Sequence, residues 1–275
     1  LLRGSCRSIE DGAPRGTREE RCTDRQAGSD PTRHRLTDRQ QNRHTMPSTY
    51  LFEPAPVVSA AVRGDTARFP VRRIYCVGRN YAEHAREMGH DPTREPPFFF
   101  LKNPDNLVLD GGDFPYPAAS SDVHHEIELV VAIGKGGTDI AIDKALDHVY
   151  GYALGLDMTR RDRQSEAKKA GRPWEVGKAF EHSAPMTDIV PVATCGHLSR
   201  GAIWLKVNGQ IRQSSDLDQL IWDVPEIIHH LSGLFELKAG DLIMTGTPAG
   251  VNAVVRGDLM EGHCDGIGGL SAKVV

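Results

Sequence analysis

No apolar run in these 275 residues reaches the ~18 that a membrane-spanning helix requires, so no helical membrane anchor is expected. Positive charge is not in surplus: 33 Lys and Arg stand against 37 Asp and Glu, a formal net charge of −4. Nucleic-acid backbones are held by a basic excess on one face, so a nucleic-acid partner is not expected either. Cysteine is sparse, odd in number and scattered, at Cys6, Cys22, Cys76, Cys195 and Cys264. That argues against a disulfide framework or a cysteine zinc site and fits a cytoplasmic protein kept reduced. Common catalytic signatures are missing too. The stretch Gly134-Lys135-Gly136-Gly137 lacks the spacing of a phosphate loop, no GxGxxG or GxSxG occurs, and His90 falls on a different helix face from His84, so there is no HExxH zinc motif.

What is present divides unevenly. Residues 1–45 contain ten Arg, no Lys, no aromatic residue and eight hydrophobic residues. Such a stretch cannot bury enough apolar surface to offset its ordering entropy, and it is expected to be disordered. It has no apolar core for a secretory signal, and its seven acidic residues do not suit a mitochondrial presequence. Met46, where ordinary composition begins, is the expected true start, with 1–45 as upstream or non-native sequence. The remainder holds 23 basic and 30 acidic residues. It divides into a short segment, 46–70, and a main domain, 71–275.

The body reads as short strands with a few well-marked helices. A strand is expected over 74–77, followed by a helix from Asn80 to Met88 that Gly89 stops. Further strands are expected over 125–133 and 150–156. Thr159 reads as the N-cap of a charged helix ended by Gly171. Asn208-Gly209 between alternating runs is a strong hairpin signal. Pro225, flanked by Asp223 and Glu226, starts a helix carrying Ile227, Ile228, Leu231 and Leu234. A turn at 238–240 leads into a strand over 241–244 and then the loop from Thr245 to Gly250. Strands without regular helix alternation indicate a β-rich α+β fold.

Three carboxylates carry the first chemical signal. In His125-Glu126-Ile127-Glu128-Leu129, strand alternation puts Glu126 and Glu128 on one face. Acids beside so apolar a run are costly to bury unpaired, which makes a hard cation such as Mg²⁺ or Mn²⁺ an attractive companion. Asp157, ending an apolar strand, is the natural third ligand. On pattern alone, two Glu at i and i+2 are more commonly a solvated sheet face. His84 and Glu87, at i and i+3, share a helix face in the layout of a water-activating base and its orienting acid, although surface pairs have the same spacing. Lys178 is a lone cation in an otherwise apolar stretch, suited to holding an enolate or carboxylate, or to snorkelling. The 245–250 loop offers hydroxyls and N–H groups to an anion, or is simply a turn. Arg160, Arg161 and Arg163 offer forked contacts to a carboxylate, or simply face water.

Taken together these elements resemble one family. Val77-Gly78-Arg79-Asn80-Tyr81, His84, Glu87, His124-His125-Glu126-Ile127-Glu128-Leu129, Asp157-Met158-Thr159, Lys178, Trp204 through Gly209 and Gly240 through Gly250 stand in the order of the fumarylacetoacetate hydrolase family. Pro97-Phe98-Phe99-Phe100, Gly171-Arg172-Pro173-Trp174 and Phe180 through Pro185 are similar to its bacterial fumarylpyruvate-hydrolysing branch. The resemblance implies a mixed β-sandwich roll and a homodimer. It implies Glu126, Glu128 and Asp157 as ligands of Mg²⁺, with Mn²⁺ or Ca²⁺ as substitutes, and His84 and Glu87 on a lid helix. Lys178 joins them as a catalytic residue, and Arg79, Arg161, Gln164 and Thr247 as contacts to a small oxo-diacid. The implied reaction is metal-dependent hydrolysis of an acylpyruvate, fumarylpyruvate to fumarate and pyruvate, in gentisate-type aromatic catabolism. Decarboxylation of oxaloacetate or acylpyruvase action on the same site is one alternative. Isomerase or hydratase chemistry fits the His84–Glu87 pair less well, and a silent metal-binding interaction protein is a rival of another class.

Overall fold

Strand β1 (Arg73–Gly78) is apolar on both faces because it lies inside a sheet, with Ile74 through Val77 all buried. It feeds helix α1 (Ala82–Glu87) and then β2 (Phe98–Lys102). Next come β3 (Ile127–Ile133), β4 (Val149–Leu156) and helix α2 (Arg161–Lys169). The hairpin β5 (Ala202–Val207) and β6 (Gln210–Asp216) precedes helix α3 (Val224–Leu234), and β7 (Asp241–Met244), β8 (Leu259–Cys264) and β9 (Gly268–Lys273) complete the chain. The computed structural model describes residues 50–87 and 95–275, apart from the side chain of Ala85. The expectations for 1–45, Met46, Met88, Gly89 and His90 lie outside the described residues. The fold set out here is that of the unit Ala55–Val275.

A six-stranded mixed sheet runs in the order Val190–Pro191, β4, β3, β7, β1, β2, and only β7 and β1 are parallel. A four-stranded antiparallel sheet, β6-β5-β8-β9, packs against it. Alternation in β3 makes the packing two-sided. Ile127, Leu129 and Val131 join Ile203, Leu205 and Met260 of the second sheet, while Val130 and Ala132 join Cys76 and Leu242 in another cluster. Each of the Ile, Leu, Val and Met side chains among these, fully buried, contributes about 1.5–3 kcal/mol.

Local signals held where they came from turn and cap chemistry. Asn208 and Gly209 both have positive φ, 52° and 75°, as a two-residue hairpin turn of the mirror-image type demands. Asp223 accepts from the Glu226 N–H at 2.9 Å while Glu226 reaches back to the Asp223 N–H at 3.1 Å, closing a capping box on α3. Other details differ from expectation. Thr159 does not cap α2: it pairs in a short strand with His124 and turns its hydroxyl to the Asp157 carbonyl at 3.0 Å. Asn80 does not open α1 but is fully buried, bonding Thr245 O and Trp222 O and receiving the Trp222 N–H. A residue bonded across the fold cannot also serve its own helix end. Strand β2 was not foreseen, because Phe98-Phe99-Phe100 lacks alternation.

Among the described residues, Cys76, Cys195 and Cys264 are free thiols and no helix is long and apolar enough to cross a membrane.

Candidate active site

The antiparallel register of β3 and β4, Ile127 opposite Leu156, puts Glu126 opposite Asp157 where the two strands end, and the Asp157 N–H donates to the Glu126 carbonyl at 2.8 Å. Glu128, two residues on, points to the same face. Just past β7 the Gly246 N–H meets the Glu128 carboxylate at 2.8 Å. Three strand ends therefore bring Glu126, Glu128 and Asp157 together, all buried, with ligand oxygens within 4.8 Å of one another.

Two of these acids meet cations of the chain itself, while Glu128 has only the Gly246 N–H among the described residues. Lys178 Nζ lies 2.8 Å from Glu126 and 2.6 Å from Asp157, and Arg161 pairs with the other oxygen of Glu126. Lys102, from the end of β2, sits 2.9 Å from Asp157 Oδ1 but out of line for a hydrogen bond; it donates instead to Met158 O, Ser183 Oγ and Lys178 O. Compensation is unequal. Burial pushes the Glu126 carboxyl up, yet Lys178 and Arg161 hold it well below the usual carboxylate range. Glu128 is driven well above that range by burial, then by Asp157 and Glu126. Burial works against the Lys178 ammonium, and Asp157 with Glu126 more than restore it. The Asp157 oxygen without a hydrogen bond, the under-compensated Glu128 and an all-oxygen donor set fit a hard divalent cation.

His84 lies in the same pocket, buried, with Nδ1 3.4 Å from Glu87 Oε2. If Nδ1 carries the proton toward Glu87, Nε2 is left as an acceptor. Burial lowers the imidazole pKa, opposed by Glu126 and Glu87. Glu87 also receives the Gly250 N–H at 3.1 Å, which ties α1 to the loop after β7. That loop was read as either an anion-binding turn or a plain turn; the Gly246 and Gly250 N–H groups donate to the protein's own acids. Thr247 lines the pocket and accepts from Gln213 Nε2 at 2.8 Å. Gln213 Oε1 in turn faces His125 Nδ1 at 2.9 Å, and burial pushes that imidazole down to about 4.

Of the expected substrate contacts, Arg79, Arg161, Gln164 and Thr247 all line the pocket. The Arg161 guanidinium is already engaged by Glu126, Gln164 Oε1 and His124. Arg163 pairs with Glu166 on the surface, and Arg160 lies 4.3 Å over the Phe180 ring. Lys102, Gln213, Phe100, Trp174 and Lys168 had no assigned role from sequence. Of these, Phe100, Trp174 and Lys168 line the pocket, which opens to solvent.

Residues 73–275 match the family described as fumarylacetoacetate (FAA) hydrolase, C-terminal. A fumarylpyruvate hydrolase of a Ralstonia species is 49% identical over 184 residues, covering 67% of this chain and 95% of its own. A mitochondrial oxaloacetate decarboxylase of Dictyostelium discoideum is 46% identical over 204 residues, covering 74% and 92% respectively. A crystal structure of fumarylpyruvate hydrolase from Pseudomonas aeruginosa, in complex with Mn²⁺ and pyruvate, superposes with a TM-score of 0.80 at 54% identity, covering 82% of this chain and 99% of that one.

Proposed function

The chain belongs to the fumarylacetoacetate hydrolase family, and on that premise we propose that it hydrolyses the carbon–carbon bond of an acylpyruvate, with fumarylpyruvate as substrate. The observation that carries the reading is the convergence of a buried acid triad, a buried lysine and a buried histidine in one pocket. Glu126, Glu128 and Asp157 would hold a divalent ion, Mg²⁺ or Mn²⁺, which would supply Lewis acidity toward the 2-oxo acid end of the substrate.

The chain's own groups do the rest. His84 Nε2, with Nδ1 held toward Glu87, accepts a proton from the water that adds to the acyl carbonyl. The carbon–carbon bond then breaks, its electron pair passing to the pyruvyl fragment as an enolate. Lys178, fixed between Glu126 and Asp157, places its positive charge where that negative charge develops. The imidazolium returns its proton to the enolate carbon, which gives pyruvate and the free acid without a covalent enzyme intermediate. Substrate binding shortens the 3.4 Å His84–Glu87 contact and completes the base.

Enolate stabilisation by Lys178 serves decarboxylation of oxaloacetate equally well, and the 46% identity to a relative of that name keeps it as the second reading. The P. aeruginosa neighbour, in complex with Mn²⁺ and pyruvate, supports a hard ion and a pyruvyl product. The reading carries with it gentisate-type ring breakdown as the source of substrate, the β-sandwich roll and a homodimer; light scattering tests the last. The deciding experiment is loss of fumarylpyruvate ultraviolet absorbance with Mg²⁺ and with EDTA, beside oxaloacetate and acetylpyruvate. Fast, EDTA-sensitive loss of fumarylpyruvate, well above the other two, is expected. Preference for oxaloacetate replaces the first reading with the second, and no turnover of any substrate overturns both.

A further inference from the structure

The pocket has a second pole that the bond-breaking chemistry leaves unused. Arg161, Gln164 and Lys168 all line it, and their i, i+3, i+7 spacing makes them one stripe of α2. Arg161, at the inner end, is held by Glu126. Lys168 stands two turns further out, about 10 Å along the axis, and its stem leans back toward the helix N-terminus, which shortens the gap within the pocket. Lys168 has no carboxylate partner among the described residues; its Nζ lies 4.8 Å from the centre of the Trp174 ring. Arg79, exposed at the end of β1, borders the same space and likewise has no ion pair among the described residues. Its φ of 60° is unusual for a side chain of that size.

Between the poles lies an aromatic wall. The rings of Phe100 and Trp174, 5.8 Å apart, both line the pocket, and Lys178 Nζ is 5.1 Å from the Phe100 ring. From inside outward the pocket thus presents acids with Lys178, then two aromatic faces, then Lys168 and Arg79, which have no ion pair among the described residues. Burial, together with the nearby Arg161 and Arg79, pushes the Lys168 amine down to about 8. A half-buried cation among cations is relieved by an anion from outside the chain.

We propose that Lys168, assisted by Arg79, binds a carboxylate at the far end of the acyl group, so that the site selects acylpyruvates ending in a carboxylate over those with a neutral acyl group. The inference rests on the acylpyruvate reading and deepens it. Length supports it: three extended chain bonds span about 3.5 Å, so the six between the end carboxyl carbons of fumarylpyruvate span about 7 Å, against about 3.5 Å in oxaloacetate. With its pyruvyl end at the triad, the longer acid extends toward the Phe100 and Trp174 side of the pocket. The flat unsaturated linker of a fumaryl group suits that wall.

The test compares wild type with Lys168→Gln and Lys168→Arg on fumarylpyruvate and acetylpyruvate. Loss of a charged contact is expected to lower kcat/KM for fumarylpyruvate about ten- to a hundredfold, mainly through KM, with acetylpyruvate changed less than about twofold and Lys168→Arg restoring most of the loss. Equal loss on both substrates, or on neither, overturns the proposal. Thermal protection by fumarate and by pyruvate supplies a readout independent of turnover. Lys168→Gln is expected to lose protection by fumarate and keep protection by pyruvate. If the wild type turns over neither substrate, the acylpyruvate reading fails and fumarate protection alone decides this one: its loss in the variant supports the far-carboxylate site. Protection retained in the variant, or absent from the wild type, overturns it.

Discussion

Replacing Lys102 with methionine removes one cation from the acid cluster while keeping most of the volume of its stem. Lys102 is 2% exposed, with Nζ 2.9 Å from Asp157 Oδ1 and hydrogen bonds to Met158 O at 3.2 Å and Ser183 Oγ at 2.9 Å. Removing one member of a buried ion pair costs about 3–5 kcal/mol. The low end applies, because Lys178 stays 2.6 Å from the other Asp157 oxygen. A loss of about 3 kcal/mol in a domain of this size lowers Tm by roughly 6–12 °C. Scanning calorimetry in EDTA measures it. A second arm adds Mn²⁺. With one positive charge gone from beside the triad, a divalent ion binds more tightly, so Mn²⁺ raises the Tm of Lys102→Met more than that of wild type. A Tm in EDTA within about 2 °C of wild type, or an equal Mn²⁺ response, would refute the assignment of Lys102 as part of the cluster's charge balance.

His84→Ala is expected to lower kcat by about 10²–10⁴-fold while calorimetric Mn²⁺ binding stays at the wild-type level; retained turnover removes His84 from the role of base. Because burial lowers the His84 pKa, the neutral base persists to lower pH, and the acid-side fall of kcat/KM is expected below about pH 6.5; a fall above that contradicts it. Gly250→Ala puts a Cβ 1.9 Å from the Arg212 carbonyl at a residue with φ of 94°, and it should cost more than about 1 kcal/mol and loosen the Gly250–Glu87 contact. Urea unfolding and turnover should fall together, and wild-type stability would show that the loop shifts freely. Asp223→Ala opens the capping box of α3 and should lower stability by about 1 kcal/mol, an effect that Asp223→Asn should largely spare.

The legible parts of the fold were those whose cause is local. The Asn208-Gly209 turn needs two positive φ values and uses residues that tolerate them. Asp223 and Glu226 sit one helical turn apart, so their reciprocal bonds depend on nothing distant. The shared face of Glu126 and Glu128 follows from strand alternation alone. Thr159 and Asn80 misled because the same side chains that cap helices can bond elsewhere: the contacts that claimed Asn80 lie 142 and 165 residues away. Local propensity has no way to register that competition.

The cations of the site were harder to read, for a reason that separates Lys102 and Lys178 from Lys168. Lys102 closes the run Phe98-Phe99-Phe100-Leu101, and Lys178 stands between Val176-Gly177 and Ala179-Phe180. A lysine embedded among apolar residues must either snorkel or be buried with partners, and burial without an acid is prohibitive. Two such lysines and three acids in apolar settings are therefore one observation, a buried charge cluster whose members each make the others affordable. Strand register is what turns that inference into geometry, by setting Glu126 opposite Asp157. Lys168 carries no such mark. It lies in Ala167-Lys168-Lys169-Ala170, and as a helical sequence that is a solvated face. Its distinction, a place over Trp174 with no carboxylate partner among the described residues, arises only when α2 is laid against the pocket. A cation that the fold positions but does not pair is a feature no sequence pattern encodes, and its natural counter-charge is a ligand.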